Sequence, residues 1–254
     1  MSDNLPVNYD ELLAGLAKKA TKTEKPATSS INARAGMLLY NGNPCPGNNL
    51  DVIIIASTHT NLYYEDKYDK DDIKNPVCYA YSEDPDEIEM RPHPKSSKPQ
   101  SDTCATCWAN KWNSDPEGGK GKACKNTRRL ACVPADVTAE DLPTAEIATL
   151  SLPVMTVNKQ WSPYVHKLAT LYNRPPLALK TRLGIVPDQK SQFQITFDDV
   201  GAVDVSVLGP IIERREAAVK LLEKEYEPNE ELSEEELEER EAKAAKGKKR
   251  GAKF

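Results

Sequence analysis

Six cysteines are the residues of this chain best suited to chemistry, and their spacing is uneven: Cys78-x25-Cys104-x2-Cys107-x16-Cys124-x7-Cys132, with Cys45 alone upstream. A C-x2-C pair lets two thiolates and the backbone between them wrap one tetrahedral ion. Cys124 supplies a third thiolate from Gly-Gly-Lys-Gly-Lys-Ala-Cys-Lys, where small residues leave the turn free to form. Three positions compete for the fourth ligand. Cys78 stands in strand-like Pro-Val-Cys-Tyr-Ala-Tyr and is the first choice. His93, between two prolines, is the second, and Cys132, in a strand-like run after Arg128-Arg-Leu-Ala, is the third. In a reducing compartment such clustering favours a metal over disulfides. With no H-E-x-x-H and no H-x-E ahead of the C-x2-C, the expected role of Zn2+ is structural.

The cysteines lie in basic surroundings. Lys111, Lys120, Lys122, Lys125, Arg128 and Arg129 accompany Trp108 and Trp112, and Lys180 and Arg182 share the polar face of a later strand. Cations neutralise phosphates, and exposed aromatic faces stack unpaired bases. Trp108 and Trp112 are equally suited to packing over a metal lobe. Acids such as Asp66, Asp69, Asp71, Asp72, Asp198 and Asp199 show no catalytic spacing, so no enzyme activity is expected. His59 and His166 read as incidental.

What must position these groups is legible in outline. The chain has 254 residues, 39% hydrophobic, 29% charged, with a net charge of −5 and a mean hydropathy of −0.63. No apolar run reaches the roughly 20 residues of a membrane span, and the N-terminus lacks a secretory pattern, so a cytoplasmic protein is expected. Residues 1–30 read as a short amphipathic helix and a basic arm. Residues 31–226 read as an α+β, mostly β core, with the zinc lobe at about 78–132. Residues 227–254 read as a disordered tail, with eight Glu in 227–240 and then six Lys or Arg in 241–253.

Within the core, Met37–Tyr40, Val52–Ile55 and Ile147–Val157 are strand-like, and Leu177–Ile185 with Phe193–Phe197 reads as an antiparallel hairpin. Ser162-Pro163 opens a helix that Asn173-Arg-Pro-Pro stops. A last helix spans about 206–226, with Leu208, Ile211, Ile212, Val219 and Leu222 inward. Residues 91–129 hold nine Lys or Arg against three acids and are loop-like, with Pro, Ser, Asn and Gly throughout. So long a loop in a compact domain needs something other than a hydrophobic core to hold it.

The block Pro92-His-Pro-Lys…Thr103-Cys-Ala-Thr-Cys107…Gly121-Lys-Ala-Cys-Lys-Asn-Thr-Arg-Arg-Leu-Ala131 resembles a segment of a family of tailed-bacteriophage early proteins. More loosely, the chain is similar to the zinc-containing phage single-stranded-DNA-binding proteins of the T4 type, and Lys18-Lys-Ala-Thr-Lys-Thr matches their basic arm in composition. Here the C-x2-C pair precedes the third cysteine, where in that family it follows it. The likeness implies an OB-like antiparallel barrel with an inserted zinc lobe, and sequence-independent binding of single-stranded DNA in replication or recombination. It also implies a tail that recruits replication or recombination proteins. The alternative is a zinc-bearing interaction module that regulates host or phage transcription or replication machinery.

Overall fold

The computed structural model describes residues 29–66, 74–86, 89–189, 192–223 and 225–226. Residues 1–28 of the expected N-terminal helix and arm, the charged tail 227–254, and Asp69, Asp71 and Asp72 fall outside them.

Strand-forming sequence produces nine strands: β1 (Ser30–Arg34), β2 (Met37–Tyr40), β3 (Asn43–Pro44), β4 (Leu50–Tyr63), β5 (Cys78–Ser82), β6 (Lys125–Pro134), β7 (Ala148–Leu152), β8 (Leu179–Asp188) and β9 (Gln192–Ala202). They form one sheet in the order β3-β2-β1-β7-β6-β4-β8-β9, with β5 also paired to β4. Two helices complete the α+β fold, α1 (Ser162–Tyr172) and α2 (Val205–Leu222). The expected barrel does not close: β3 and β9 remain edges and do not pair with each other. Nor is the sheet purely antiparallel, since β1 runs parallel to β7. Among the described residues, no helix is long and apolar enough to cross a membrane.

The run Val52-Ile-Ile-Ile is apolar on both faces because β4 has a core on each side. Val52 and Ile54 join Leu130, Cys132, Leu150, Leu183 and Phe197 beneath α1. Ile53, Ile55 and Ala56 join Ala131, Val133 and the inner face of α2. A bulge between Ile54 and Ala56 in the β4–β6 ladder turns two successive residues, Ile55 and Ala56, to the α2 side. Beyond it the alternation resumes in shifted phase. Ser57 lies opposite Leu130 on the α1 face, and His59 lies opposite Arg128 on that same face.

β4 is longer than its apolar run. Its first half pairs with β8 and its second half with β5, so the polar stretch Ser57–Asn61 is held in the sheet by ladder bonds, not by apolar burial. β7 ends at Leu152, short of the expected strand, because Pro153 turns the chain into the helical turns that lead to α1. Asn173 ends α1 in the left-handed conformation, φ 51°, its N–H bonding the Ala169 and Leu168 carbonyls. Asp204 caps α2 by accepting from the Ser206 N–H at 2.8 Å. The buried stripe of α2 is Val207, Ile211, Ala218 and Leu222, whereas Ile212, expected inside, is 62% exposed.

α1 is fastened to the edge strand β9 through Asp199, which accepts from the Tyr172 hydroxyl at 2.7 Å and pairs with Lys167. Lys167, then Tyr172, hold its carboxyl below the ordinary value of 3.8. A depressed folded pKa contributes stability above the unfolded value and loses it as pH falls through the folded one. Asp199→Asn should therefore be less stable than wild type at pH 7, with the difference closing in acid as the pH falls below the ordinary 3.8 and through the lowered folded value. Urea midpoints at pH 7 and in acid would show this.

Candidate functional site

β4 and β5 together build the floor of the cysteine lobe. Cys78, the first residue of β5, lies opposite Tyr63, the last of β4. From Glu89 to Cys124 the chain carries no strand and only one 3-10 turn, Trp108–Asn110. A few backbone and side-chain bonds fold it. The Cys104 N–H donates to the Met90 carbonyl and the Cys124 N–H to the Ala109 carbonyl, both at 2.8 Å. The Asn110 amide donates to the Cys104 carbonyl at 2.9 Å. Apolar contact is slight: Cys107, Ala109, Ala123 and Cys124 group beside Tyr63, and Ala80, Met90 and Cys104 form a second cluster. Such small side chains bury little area against the ordering cost of so many residues, about 1–2 kcal/mol of backbone entropy each.

Cys78, Cys104, Cys107 and Cys124 all line one small pocket with Asn61 and Asn110. About 10 Å3 of it is open to the centre of a water-sized guest, roughly enough for one. Burial pushes the Cys124 thiol up to about 12, and the neighbouring Cys104, Cys107 and Cys78 push the same way. Burial also raises Cys78 and Cys104, each with help from the adjacent cysteines. Cys78, Cys104 and Cys124 resist ionising alone, and thiols of that kind are groups whose protons a divalent cation would displace. No group of three or more His, Cys, Asp or Glu side chains among the described residues is arranged to hold a metal ion. The fit to zinc is therefore one of donor chemistry and placement, four soft sulfurs on one pocket, and not of coordination geometry.

His93, the alternative ligand, lies outside the pocket lining. Its ring stacks on Tyr79 with centroids 4.9 Å apart, and its Nδ1 accepts from the Lys95 N–H at 3.2 Å. Cys132 is fully buried in the core beneath α1, and Cys45 is buried in the same core.

The basic and aromatic candidates divide into separate places. Trp108 is 47% exposed and Trp112 69%. Trp108 meets Tyr63 edge-on at 5.6 Å and donates from Nε1 to Gln100 at 3.3 Å. Lys122 lies over the Trp112 ring at 5.5 Å and bonds Asn110. Lys111, Lys120 and Lys125 are exposed around them.

Arg129 is engaged elsewhere. It sits between the rings of Tyr81 and Tyr226, each 5.0 Å away, and donates to the Leu222 carbonyl at the end of α2. Arg182 makes a two-pronged pair with Asp51, 2.7 and 2.8 Å. Arg182 and Lys180 face the opening residues of β4, Asp51 and Ile53. Asn61 is eight residues farther along that strand, about 25 Å away. Comparison with protein-family models, with curated proteins and with solved structures finds no match.

Proposed function

We propose that the protein is a non-catalytic single-stranded-DNA-binding protein of phage replication or recombination, with a structural zinc held by Cys78, Cys104, Cys107 and Cys124. One observation carries this reading. Two widely exposed tryptophans stand among lysines on a lobe whose interior is little more than those cysteines. Unpaired bases stack on indole faces whatever their sequence, and lysines meet the phosphates between them. In this proposal the binding surface is Trp108, Trp112, Lys111, Lys120, Lys122 and Lys125. Arg129, spent on α2, and the distant Lys180 and Arg182 are left out of it. An OB-like use of the sheet, with strands presenting a face to the bases, belongs to the same proposal.

Fluorescence titration with labelled oligo-dT and a matched duplex tests it. Oligo-dT should bind tightly, with affinity falling steeply with salt, and duplex should bind far more weakly. Equal or absent binding of both would turn the reading to the protein-interaction module. Trp112→Ala should weaken oligo-dT binding by about 1–3 kcal/mol, roughly 5- to 150-fold. Arg182→Ala should leave it within about twofold, because that guanidinium is committed to Asp51.

A further inference from the structure

Just past the cysteine lobe, three polar side chains line up across the sheet. His59 of β4 lies opposite Ser82 of β5 on one side and opposite Arg128 of β6 on the other. Partners directly opposite in an antiparallel ladder share a face, with Cβ atoms about 4.5–5.5 Å apart. The row continues to Leu152 of β7, at the margin of the α1 core. The next row along, Ala80–Asn61–Asn126, is only two residues away, about 7 Å, and its Ala80 and Asn61 line the cysteine pocket.

Each member of the row has donor capacity that its surroundings leave unused. Arg128 is half-buried, and its one hydrogen bond among the described residues is from Nη1 to the neighbouring Thr127 carbonyl at 2.9 Å. No carboxylate among the described residues pairs with it. Burial alone pulls its pKa down to about 10, the mark of a guanidinium that has lost water without gaining a counter-ion. The Ser82 hydroxyl is buried and has no hydrogen-bond partner among the described residues. His59, half-buried, is held near pKa 4 by burial and by Arg128, so at neutral pH it offers one N–H. Asp84 and Asp86 act on His59 in the opposite sense, but both are exposed to solvent, where their charge is well screened.

We propose that Ser82, His59 and Arg128 form a phosphate-binding row that grips one phosphodiester of the strand whose bases lie on the tryptophan lobe. The inference rests on the nucleic-acid reading and extends it onto the sheet, to His59 and Ser82. Arg128 supplies the charge and a forked donor pair, and the neutral imidazole and the hydroxyl supply single donors.

The chain has three histidines, so ring carbon–proton NMR of the full-length protein follows His59 directly. Inorganic phosphate and oligo-dT should each move its resonances saturably. Arg128→Gln should abolish the phosphate response, weaken oligo-dT binding roughly tenfold and reduce the salt slope by about 0.7, the value for one phosphate on a single strand. Arg128→Lys, which keeps the charge and loses the fork, should retain the slope and part of the affinity. It also serves if the glutamine variant fails to fold. If oligo-dT binds while His59 stays unmoved and the Arg128→Gln slope equals that of wild type, the row is overturned and the nucleic-acid reading stands. If inorganic phosphate moves His59 but oligo-dT does not bind at all, the anion site holds and the functional reading falls.

Discussion

Cys104→Ser should remove together the proposed zinc, the order of the lobe and most of the proposed affinity for oligo-dT. Cys104 lines the same pocket as the other three thiols, and its backbone joins the lobe to Met90 and Asn110. The apolar clusters around it contain alanines, cysteines and one methionine, so little else opposes the entropy of the 89–124 segment. Structural zinc contributes about 10–16 kcal/mol in small thiolate sites, and that binding energy is folding energy. Losing one of four thiolates should drop zinc content from one ion per chain to a small fraction. Amide exchange across 89–124 should approach that of an unfolded segment, and oligo-dT affinity should fall at least tenfold as Trp108 and Trp112 lose fixed positions. The cores beneath α1 and α2 contain no residue of the 89–124 segment. Strands β6 to β9 should therefore keep their protection.

Trp161→Ala should show the opposite pattern. Trp161 is buried in the α1 core, edge-on to Phe197 at 5.3 Å and 6.2 Å from Tyr164. Tyr164 in turn stacks on Phe197 at 5.6 Å. Removing a large aromatic from such a cluster leaves a void that its neighbours fill only partly, a loss of about 3–5 kcal/mol. The melting temperature should fall by several degrees or more, with one zinc ion per chain retained and the slope of oligo-dT binding against salt unchanged. Joint loss of zinc would mean that lobe and core are one cooperative unit, contrary to the contacts that separate them.

Much of the fold was legible where burial imposes a pattern. Val52–Ile55 reads as a strand because all four residues are apolar and three are isoleucine, and the fold gives it a core on each face. The hairpin reads from alternation over Leu177–Ile185 and Phe193–Phe197, and α1 from Ser162-Pro163 and Asn173. What escaped depends on partners remote in sequence. The bulge at Ile55 leaves no mark in the residue types. It decides that His59 shares a face with Arg128, and so a histidine that reads as incidental comes to stand between Arg128 and Ser82. The phase of α2 is set by where Asp204 caps it, which puts Val207 inside and Ile212 outside. The parallel joining of β1 to β7, and with it an open sheet in place of a barrel, has no local signature.

The candidate site divides in the same way. The C-x2-C pair and the small residues before Cys124 speak for themselves, and Cys78 is drawn to them because its strand-like segment pairs with the end of β4. Arg129 and Arg182 read as free cations in the sequence. They are tied down by Tyr226 and Asp51, 97 and 131 positions away. A side chain's charge is written in the sequence, whereas its availability is decided by the fold.

The most direct test of this account is native mass spectrometry of the full-length chain, before and after chelation, with amide exchange measured on both samples. The account predicts one zinc ion per chain, bound with loss of the thiol protons, and a lobe across 89–124 that loses its protection when the ion is stripped. A metal-free chain with that segment fully protected would contradict it.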